Sequence, residues 1–210
     1  MVLLALLIFR VFVRQSPSAP LHTPVTEIRP QAAIPPEVRD RLDAVGWPKH
    51  VGDGLGLWVS VSWQRIIGIQ GGVVQCIYPC STASRGAGNR EGSNKTPLGW
   101  HEIAERMGAG LPQGAVFTER KYAGRVWTKD QPTEKDFVLT RILWLRGVER
   151  GINLGPGVDS HDRYIYIHGT PDEDKIGKPA SLGCVRMLNR DVIELFDRTT
   201  QGMPVLITEW

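Results

Sequence analysis

The residues best suited to covalent chemistry in this sequence are His168 and Cys184, which stand 16 positions apart. The run 164–168 (Tyr-Ile-Tyr-Ile-His) alternates as a strand does and ends on the histidine. Cys184 follows a glycine after a loop long enough to fold back onto that strand. Because an imidazole within hydrogen-bond reach can take the proton that makes a thiol a weak nucleophile, the pair predicts a cysteine nucleophile with a histidine base.

Residues beside this pair carry groups that the same chemistry needs. The N–H groups of Gly183 and Cys184 can point at a developing oxyanion, and the carbonyl of Gly169 can accept a hydrogen bond from Nδ1 of His168. Arg186 has a bidentate guanidinium that suits a substrate carboxylate. Composition and spacing alone leave an alternative open, in which His168 is a structural hydrogen-bonding residue and Cys184 an inert buried thiol.

The other cysteines and histidines do not predict a second reactive site. Cys76 and Cys80 lie in a predicted strand, where residues four apart are separated by about 13 Å, too far for a disulfide. We interpret both as small buried residues. His161, Asp162 and His168 lack the spacing of a zinc site, so no metal is predicted. A papain-like peptidase is disfavoured because there the cysteine precedes the histidine.

The segments that must position these residues indicate a mainly β fold with one or two helices. Alternating or apolar runs separated by turn residues predict strands at 57–62, 66–69, 73–78, 164–168 and 205–208. The apolar run 137–145 suits either a strand or a short helix.

Two helices are predicted, one before the first of these strands and one before the last. Residues 36–45 form an amphipathic pattern that begins at Pro36 and ends at Gly46, a proline and a glycine at positions where helices favour them. Asn189 is expected to cap a helix over residues 190–200.

Length and composition fit one globular domain with an N-terminal tail. In 210 residues, 41% are hydrophobic and 22% charged, which excludes a disordered chain, a coiled coil and a multi-span membrane protein. The net charge of +3 and the absence of any Lys/Arg run do not predict nucleic-acid binding. We divide the chain into residues 1–54 (an apolar segment, a Pro-rich linker and a short helix) and a catalytic domain over 55–210.

The chain resembles the L,D-transpeptidase catalytic domain (YkuD-type) over about residues 55–208. That signature is a histidine, a loop, and then Ser/Thr-x-Gly-Cys with Arg or Asn two residues later. His168, Ser181, Gly183, Cys184 and Arg186 match it. Upstream, residues 96–99 (Thr-Pro-Leu-Gly) match the family's Thr-Pro-x-Gly segment, and residues 202–205 (Gly-Met-Pro-Val) match its ending. Many members carry a histidine where this chain has Leu182.

The resemblance implies a β-sandwich with the catalytic cysteine loop at the end of a strand. It implies a reaction on peptidoglycan stem tetrapeptides, in which Cys184 forms a thioester and releases D-Ala. Transfer to the amine of a diaminopimelate residue makes a crosslink, whereas transfer to water is L,D-carboxypeptidation. His168 would act as the base with Gly169 orienting it, and Arg186, Ser181, Gly183 and Tyr166 would contact substrate. No cofactor is implied, and carbapenem-type inhibitors are expected to acylate the thiol. A non-catalytic peptidoglycan-binding module stays an alternative of another class.

The N-terminal segment bears on where the protein works. Residues 1–9 are all apolar but too few to span a bilayer, and the positive charges follow them instead of preceding them as in a secretory signal. A degenerate export signal or short anchor would place the domain in the cell envelope or periplasm. A spurious extension or a disordered tail would leave it in the cytoplasm.

Overall fold

The computed structural model describes residues 31–131 and 136–210. The apolar segment 1–9 and most of the Pro-rich linker therefore lie outside the described residues. Within the described residues, no helix combines the length and apolar character needed to cross a membrane. The α-helices of this part are α1 (Pro36–Ala44), α2 (Trp47–Val51) and α3 (Asn189–Arg198), and its strands are β1 (Leu55–Ser60), β2 (Arg65–Gln70), β3 (Val73–Ser81), β4 (Gly99–Met107), β5 (Ala115–Thr118), β6 (Lys121–Val126), β7 (Val138–Gly147), β8 (Tyr166–Gly169), β9 (Val185–Met187) and β10 (Pro204–Thr208).

The first three strands form an antiparallel meander because the residues between them suit tight turns. Gly71 and Gly72, between β2 and β3, have φ values of 55° and 73°, which glycine adopts without steric strain. On β3, Cys76 and Cys80 are buried free thiols, which confirms their interpretation from sequence. On the other side of β1, β10 runs parallel to it, so that the last strand of the domain lies beside the first.

The sheet closes on itself around one core. Its order is β4-β10-β1-β2-β3-β9-β8-β7-β5-β6, and a further pairing joins β4 to β7. The strands from β4 round to β7 therefore enclose the interior, while the β5–β6 hairpin extends from β7. This arrangement confirms the predicted mainly β fold. Buried apolar side chains that fill the interior include Leu57, Val59, Ile103, Leu143, Leu145, Ile167, Val185 and Ile207.

The ambiguous run 137–145 belongs to a strand, β7, because its side chains alternate between two apolar environments. Leu143 and Leu145 face the interior. Ile142 and Trp144 face outward, where they pack with the β5 residues Ala115 and Phe117 under the hairpin. The candidate active site lies against this outer cluster, whose aromatic members Phe117, Trp144 and Tyr166 are called the aromatic floor below.

The N-terminal helices cover a different outer face of the sheet. Leu42 of α1 and Trp47 of α2 pack with Trp58 of β1. As the sequence predicts, α1 starts at Pro36, and Gly46 follows its end with φ 82°, where it begins α2. These helices therefore add to the sheet's packing on the side away from the hairpin.

The prediction that Asn189 caps the last helix is wrong. Asn189 is the first residue of α3, and its backbone N–H donates to the Glu173 carboxylate (2.7 Å), whereas the N-cap residue Leu188 has no capping side chain. The buried side chain of Asn189 instead accepts a hydrogen bond from the Thr140 hydroxyl (2.5 Å) and donates to the carbonyl of Thr170 (2.8 Å). Asn189 therefore ties α3 to β7 and to the end of β8, a tertiary role that a local sequence pattern does not reveal.

The strand predicted over 164–168 begins later. In β8 the first residue is Tyr166, and Tyr164 has φ 56° and an exposed ring. The predicted alternation over 164–168, which would put Tyr164 on the same strand face as Tyr166 and His168, is therefore wrong at Tyr164, because the backbone turns there. Ile165 and Ile167 do face the core as the sequence predicts.

Replacing Ile167 by alanine is expected to destabilise the domain by about 2–5 kcal/mol, because a buried aliphatic side chain is lost and a cavity is left. Chemical denaturation monitored by tryptophan fluorescence measures the change. Ile152→Ala is the matched control, since Ile152 is 48% exposed and its removal should change stability by less than about 0.5 kcal/mol. Equal effects of the two substitutions would contradict the placement of Ile167 in the core.

Candidate active site

The parallel pairing of β8 with β9 brings the two predicted reactive residues together. His168 lies opposite Arg186, and Ile167 lies opposite Val185. Because side chains alternate along a strand, Cys184 projects from the same face as His168, beside Tyr166. Parallel neighbours need a long connection, which residues 170–184 supply.

The Cys184 loop is held by hydrogen bonds from two buried hydroxyls. The Ser181 hydroxyl donates to the carbonyl of Cys184 (2.6 Å) and accepts from the N–H of Gly183 (3.2 Å). The Thr96 hydroxyl, from the Thr-Pro-Leu-Gly segment, donates to the carbonyl of Gly183 (3.0 Å). Ser181 and Gly183 therefore shape the loop. The prediction that the Gly183 N–H points at an oxyanion does not fit this conformation, because that N–H is already bonded, and the Cys184 N–H is the better candidate.

The Cys184 thiol is partly exposed and contacts the backbone of two tyrosines. It donates to the carbonyl of Tyr164 (3.4 Å) and accepts from the N–H of Tyr166 (3.4 Å). Desolvation raises the pKa of this thiol to about 11, with the Tyr166 N–H and the charge of Arg186 acting in the opposite direction. The thiol is therefore protonated at neutral pH and needs a base when it attacks.

His168 is a buried, neutral imidazole whose proton position is set by its neighbour. Nδ1 lies 2.8 Å from the carbonyl oxygen of Gly169, which can only accept, so Nδ1 carries the proton and Nε2 the lone pair. Burial lowers the pKa of His168 to about 4. Within the described residues, no hydrogen bond joins His168 to the thiol, so Cys184 must leave the Tyr164 carbonyl to reach the base.

Arg186 is buried between two carboxylates of the protein itself. Its guanidinium binds Asp136, and Nη1 lies 3.4 Å from a carboxylate oxygen of Asp172. Only 4% of its side chain is exposed. The prediction that Arg186 binds a substrate carboxylate therefore does not fit this structure, because the protein's own carboxylates occupy the guanidinium. Beside His168, its positive charge helps to keep the imidazole neutral.

The surface next to the thiol is partly aromatic and open. Tyr166 contributes its N–H to the thiol and packs its ring against Trp144, with the centroids 5.7 Å apart. Tyr164 and Leu182 are 53% and 63% exposed, and they line one open cleft together with Arg163. The cleft lies beside the Cys184 loop, and its wall is mixed, because the polar side chains of Glu91, Asn94 and Asp162 line it as well.

Several neighbours of the site could not be found from the sequence. Asp136 and Asp172 reach Arg186 from two different loops. Trp144 stacks on His161 with centroids 3.8 Å apart, and the Arg120 guanidinium lies 4.7 Å from the Trp144 centroid. The one available signal was the tryptophan in the apolar run 137–145, since a large aromatic facing outward from a strand often lies in a site. For the charged neighbours Asp136, Asp172 and Arg120, the sequence carried no such signal.

A comparison with known protein families matches residues 56–207 to the model described as YkuD, the L,D-transpeptidase catalytic domain. The chain belongs to this family. The match spans more than half of the chain and contains both His168 and Cys184. It confirms the resemblance noted from the sequence motifs, and the L,D-transpeptidase fold accounts for the closed, strand-rich sheet.

The chain is also similar to individual curated proteins and solved structures. YqjB of Bacillus subtilis, which carries the L,D-transpeptidase name, is 49% identical over 57 residues, a segment that covers 27% of this chain and 32% of the relative. The matched part thus spans about a third of that curated relative's length. Among solved structures, the L,D-transpeptidase of Xylanimonas cellulosilytica is 19% identical with a TM-score of 0.45 and covers 83% of this chain and 71% of its own. L,D-transpeptidase 3 of Mycobacterium tuberculosis, solved with a faropenem-derived adduct, is 14% identical with a TM-score of 0.45, covering 74% and 61%.

The raised pKa of Cys184 predicts slow alkylation at neutral pH. Below a pKa of about 11 the thiolate fraction grows tenfold per pH unit, so the rate with iodoacetamide should rise about tenfold per unit from pH 7 to 10. Intact-protein mass at timed intervals measures it. In Cys184→Ala the buried Cys76 and Cys80 should stay unlabelled while the protein is folded. A rate that levels off below pH 9 would contradict the prediction.

Proposed function

We propose that this domain is a cysteine L,D-transpeptidase acting on peptidoglycan stem tetrapeptides. The observation that supports it best is the placement of a partly exposed thiol and a buried neutral imidazole on one sheet face, with the imidazole proton held at Nδ1 by the Gly169 carbonyl. This leaves Nε2 as the base, which is the arrangement that activation of a thiol requires.

The proposed first step moves one proton and forms one bond. The Cys184 thiol turns from the Tyr164 carbonyl toward His168, and its proton passes to Nε2. The sulfur then attacks the carbonyl carbon of the third residue, which is joined to the nitrogen of D-Ala. The Cys184 N–H is suited to stabilise the oxyanion. The C–N bond then breaks, His168 returns the proton to the leaving amine, and D-Ala departs from a thioester.

The second step repeats this chemistry in reverse with a new amine. An acceptor, proposed to be the side-chain amine of a diaminopimelate residue, gives a proton to His168 and attacks the thioester. The new amide bond forms, the C–S bond breaks, and His168 returns the proton to the leaving sulfur. The exposed side chains of Tyr164 and Leu182 beside the Cys184 loop support this transfer, because an acceptor stem that packs on them would exclude water from the thioester.

The raised thiol pKa is compatible with catalysis. With Cys184 near 11 and His168 near 4, the resting pair is neutral, and an ion pair develops only as the sulfur attacks. Reactivity toward a bound acyl donor, and not toward a general alkylating reagent, therefore separates the enzyme from an inert binding module.

His168→Ala is expected to slow acylation by a carbapenem about 10²–10⁴-fold, the usual contribution of a general base. Because the pKa of His168 is about 4, the wild-type rate should hold between pH 7 and 5.5 and fall only as pH drops through about 4, where the imidazole gains a proton. Intact-protein mass against time measures the adduct. Cys184→Ala should form none, and an adduct that persists in it would overturn the assignment of the nucleophile.

Transfer of the thioester to an amine and its transfer to water are distinguished by their products. Incubation with a disaccharide-tetrapeptide should give crosslinked dimer as well as tripeptide, and the dimer share should rise with substrate concentration, because amine and water compete for the same thioester. Liquid chromatography with mass detection quantifies both. If tripeptide and free D-Ala are the sole products at every concentration, the domain is an L,D-carboxypeptidase.

A further inference from the structure

An arginine at the tip of the β5–β6 hairpin stands over the residues that hold the nucleophile. Arg120 and Glu119 form the two-residue turn between Thr118 and Lys121. The Arg120 guanidinium lies 4.7 Å from the ring centroid of Trp144 and 5.1 Å from that of Tyr164. The hairpin therefore directs a positive charge back onto the aromatic floor of the site.

This guanidinium is tied to the thiol through two tyrosines. The carbonyl of Tyr164 accepts from the Cys184 thiol, and the N–H of Tyr166 donates to it. Arg120 stacks on the ring of the first and lies close enough to the hydroxyl of the second to oppose the rise in its pKa that burial causes. Arg120 and Cys184 thus contact the same two residues, Arg120 through their side chains and Cys184 through their backbone atoms.

The other two arginines near the thiol already have partners inside the protein. Arg186 binds Asp136 and Asp172. Arg163 donates to the backbone carbonyls of residues 88, 89 and 95. Arg120, in contrast, makes no ion pair with any carboxylate of residues 31–131 and 136–210. One face of the guanidinium is stacked and the Tyr166 hydroxyl lies beside it, and the remaining N–H groups on its edge are available to a carboxylate.

The backbone of the turn supports a role for this side chain. Glu119 and Arg120 have φ values of 48° and 67°, the left-handed region that a two-residue hairpin turn requires at both positions. Asparagine and glycine suit these positions, whereas arginine is strained there. Strained residues of this kind cluster at ligand sites.

We propose that Arg120 binds the C-terminal carboxylate of the donor stem peptide. This inference rests on the proposed function, in which the scissile carbonyl belongs to the residue just before the terminal D-Ala. The carboxylate therefore lies one residue beyond the reacting carbonyl. The Cα atoms of these two residues are about 3.8 Å apart. Arg120 would thereby select a donor that ends at D-Ala over one that is extended or blocked at its C-terminus.

Binding and turnover of two synthetic tetrapeptides test this assignment, one with a free C-terminal carboxylate and one with a C-terminal amide. In a Cys184→Ala background, calorimetry should show the free acid binding about 10-fold tighter than the amide, the scale of one charge-assisted contact. Arg120→Gln should remove this preference. Arg120→Gly should remove it too, and it should fold at least as well, because glycine suits the positive φ.

Arg125→Gln is the matched control. Arg125 lies on the same hairpin but over Phe137, 4.8 Å from that ring centroid, and its loss should leave the preference for the free acid intact. A preference that survives both Arg120 variants, or binding of neither peptide, would overturn the inference. Release of D-Ala by the wild type tests the proposed function separately. An Arg120-dependent preference without any turnover would defeat that function and leave the carboxylate site standing.

Discussion

The active site depends on one parallel strand pairing, that of β8 with β9. It sets His168 opposite Arg186 and places Cys184 on the same face, although the histidine and the cysteine are separated by a 15-residue connection. A shift of one residue in this register would turn the thiol into the core. The inward residues Ile167 and Val185 oppose that shift, because it would expose them. The apolar packing of the closed sheet therefore also maintains the reactive geometry.

Desolvation then decides the protonation states at the site. Burial lowers the pKa of His168 to about 4 and raises that of Cys184 to about 11, so both groups are neutral before a substrate arrives. The Cys184 thiol donates its hydrogen bond to the Tyr164 carbonyl and not to His168. Such a resting state protects the sulfur from unspecific electrophiles, because very little thiolate is present at neutral pH.

The positive charges around the thiol fall into two groups with different surroundings. Arg186 and Arg163 are surrounded by the protein's own oxygens. Both hold loops, and Arg186 also helps to keep His168 neutral. Arg120 is carried on a hairpin turn above the aromatic floor, where a ligand can reach it. A buried charge must be paired, whereas a guanidinium stacked on aromatic rings at the surface can stay available to a ligand.

Sequence by itself determined the reactive pair, the family and the strand-rich character of this domain. The motif from His168 to Arg186 is local and specific, and β alternation follows from which side chains face the core. Tertiary structure decided the roles of Arg186 and Asn189, because their partners Asp136 and Thr140 come from distant segments. It also decided the place of Arg120, which reaches Trp144 through the pairing of β5 with β7. Short-range patterns carry no signal for such contacts, since they arise only when the sheet closes.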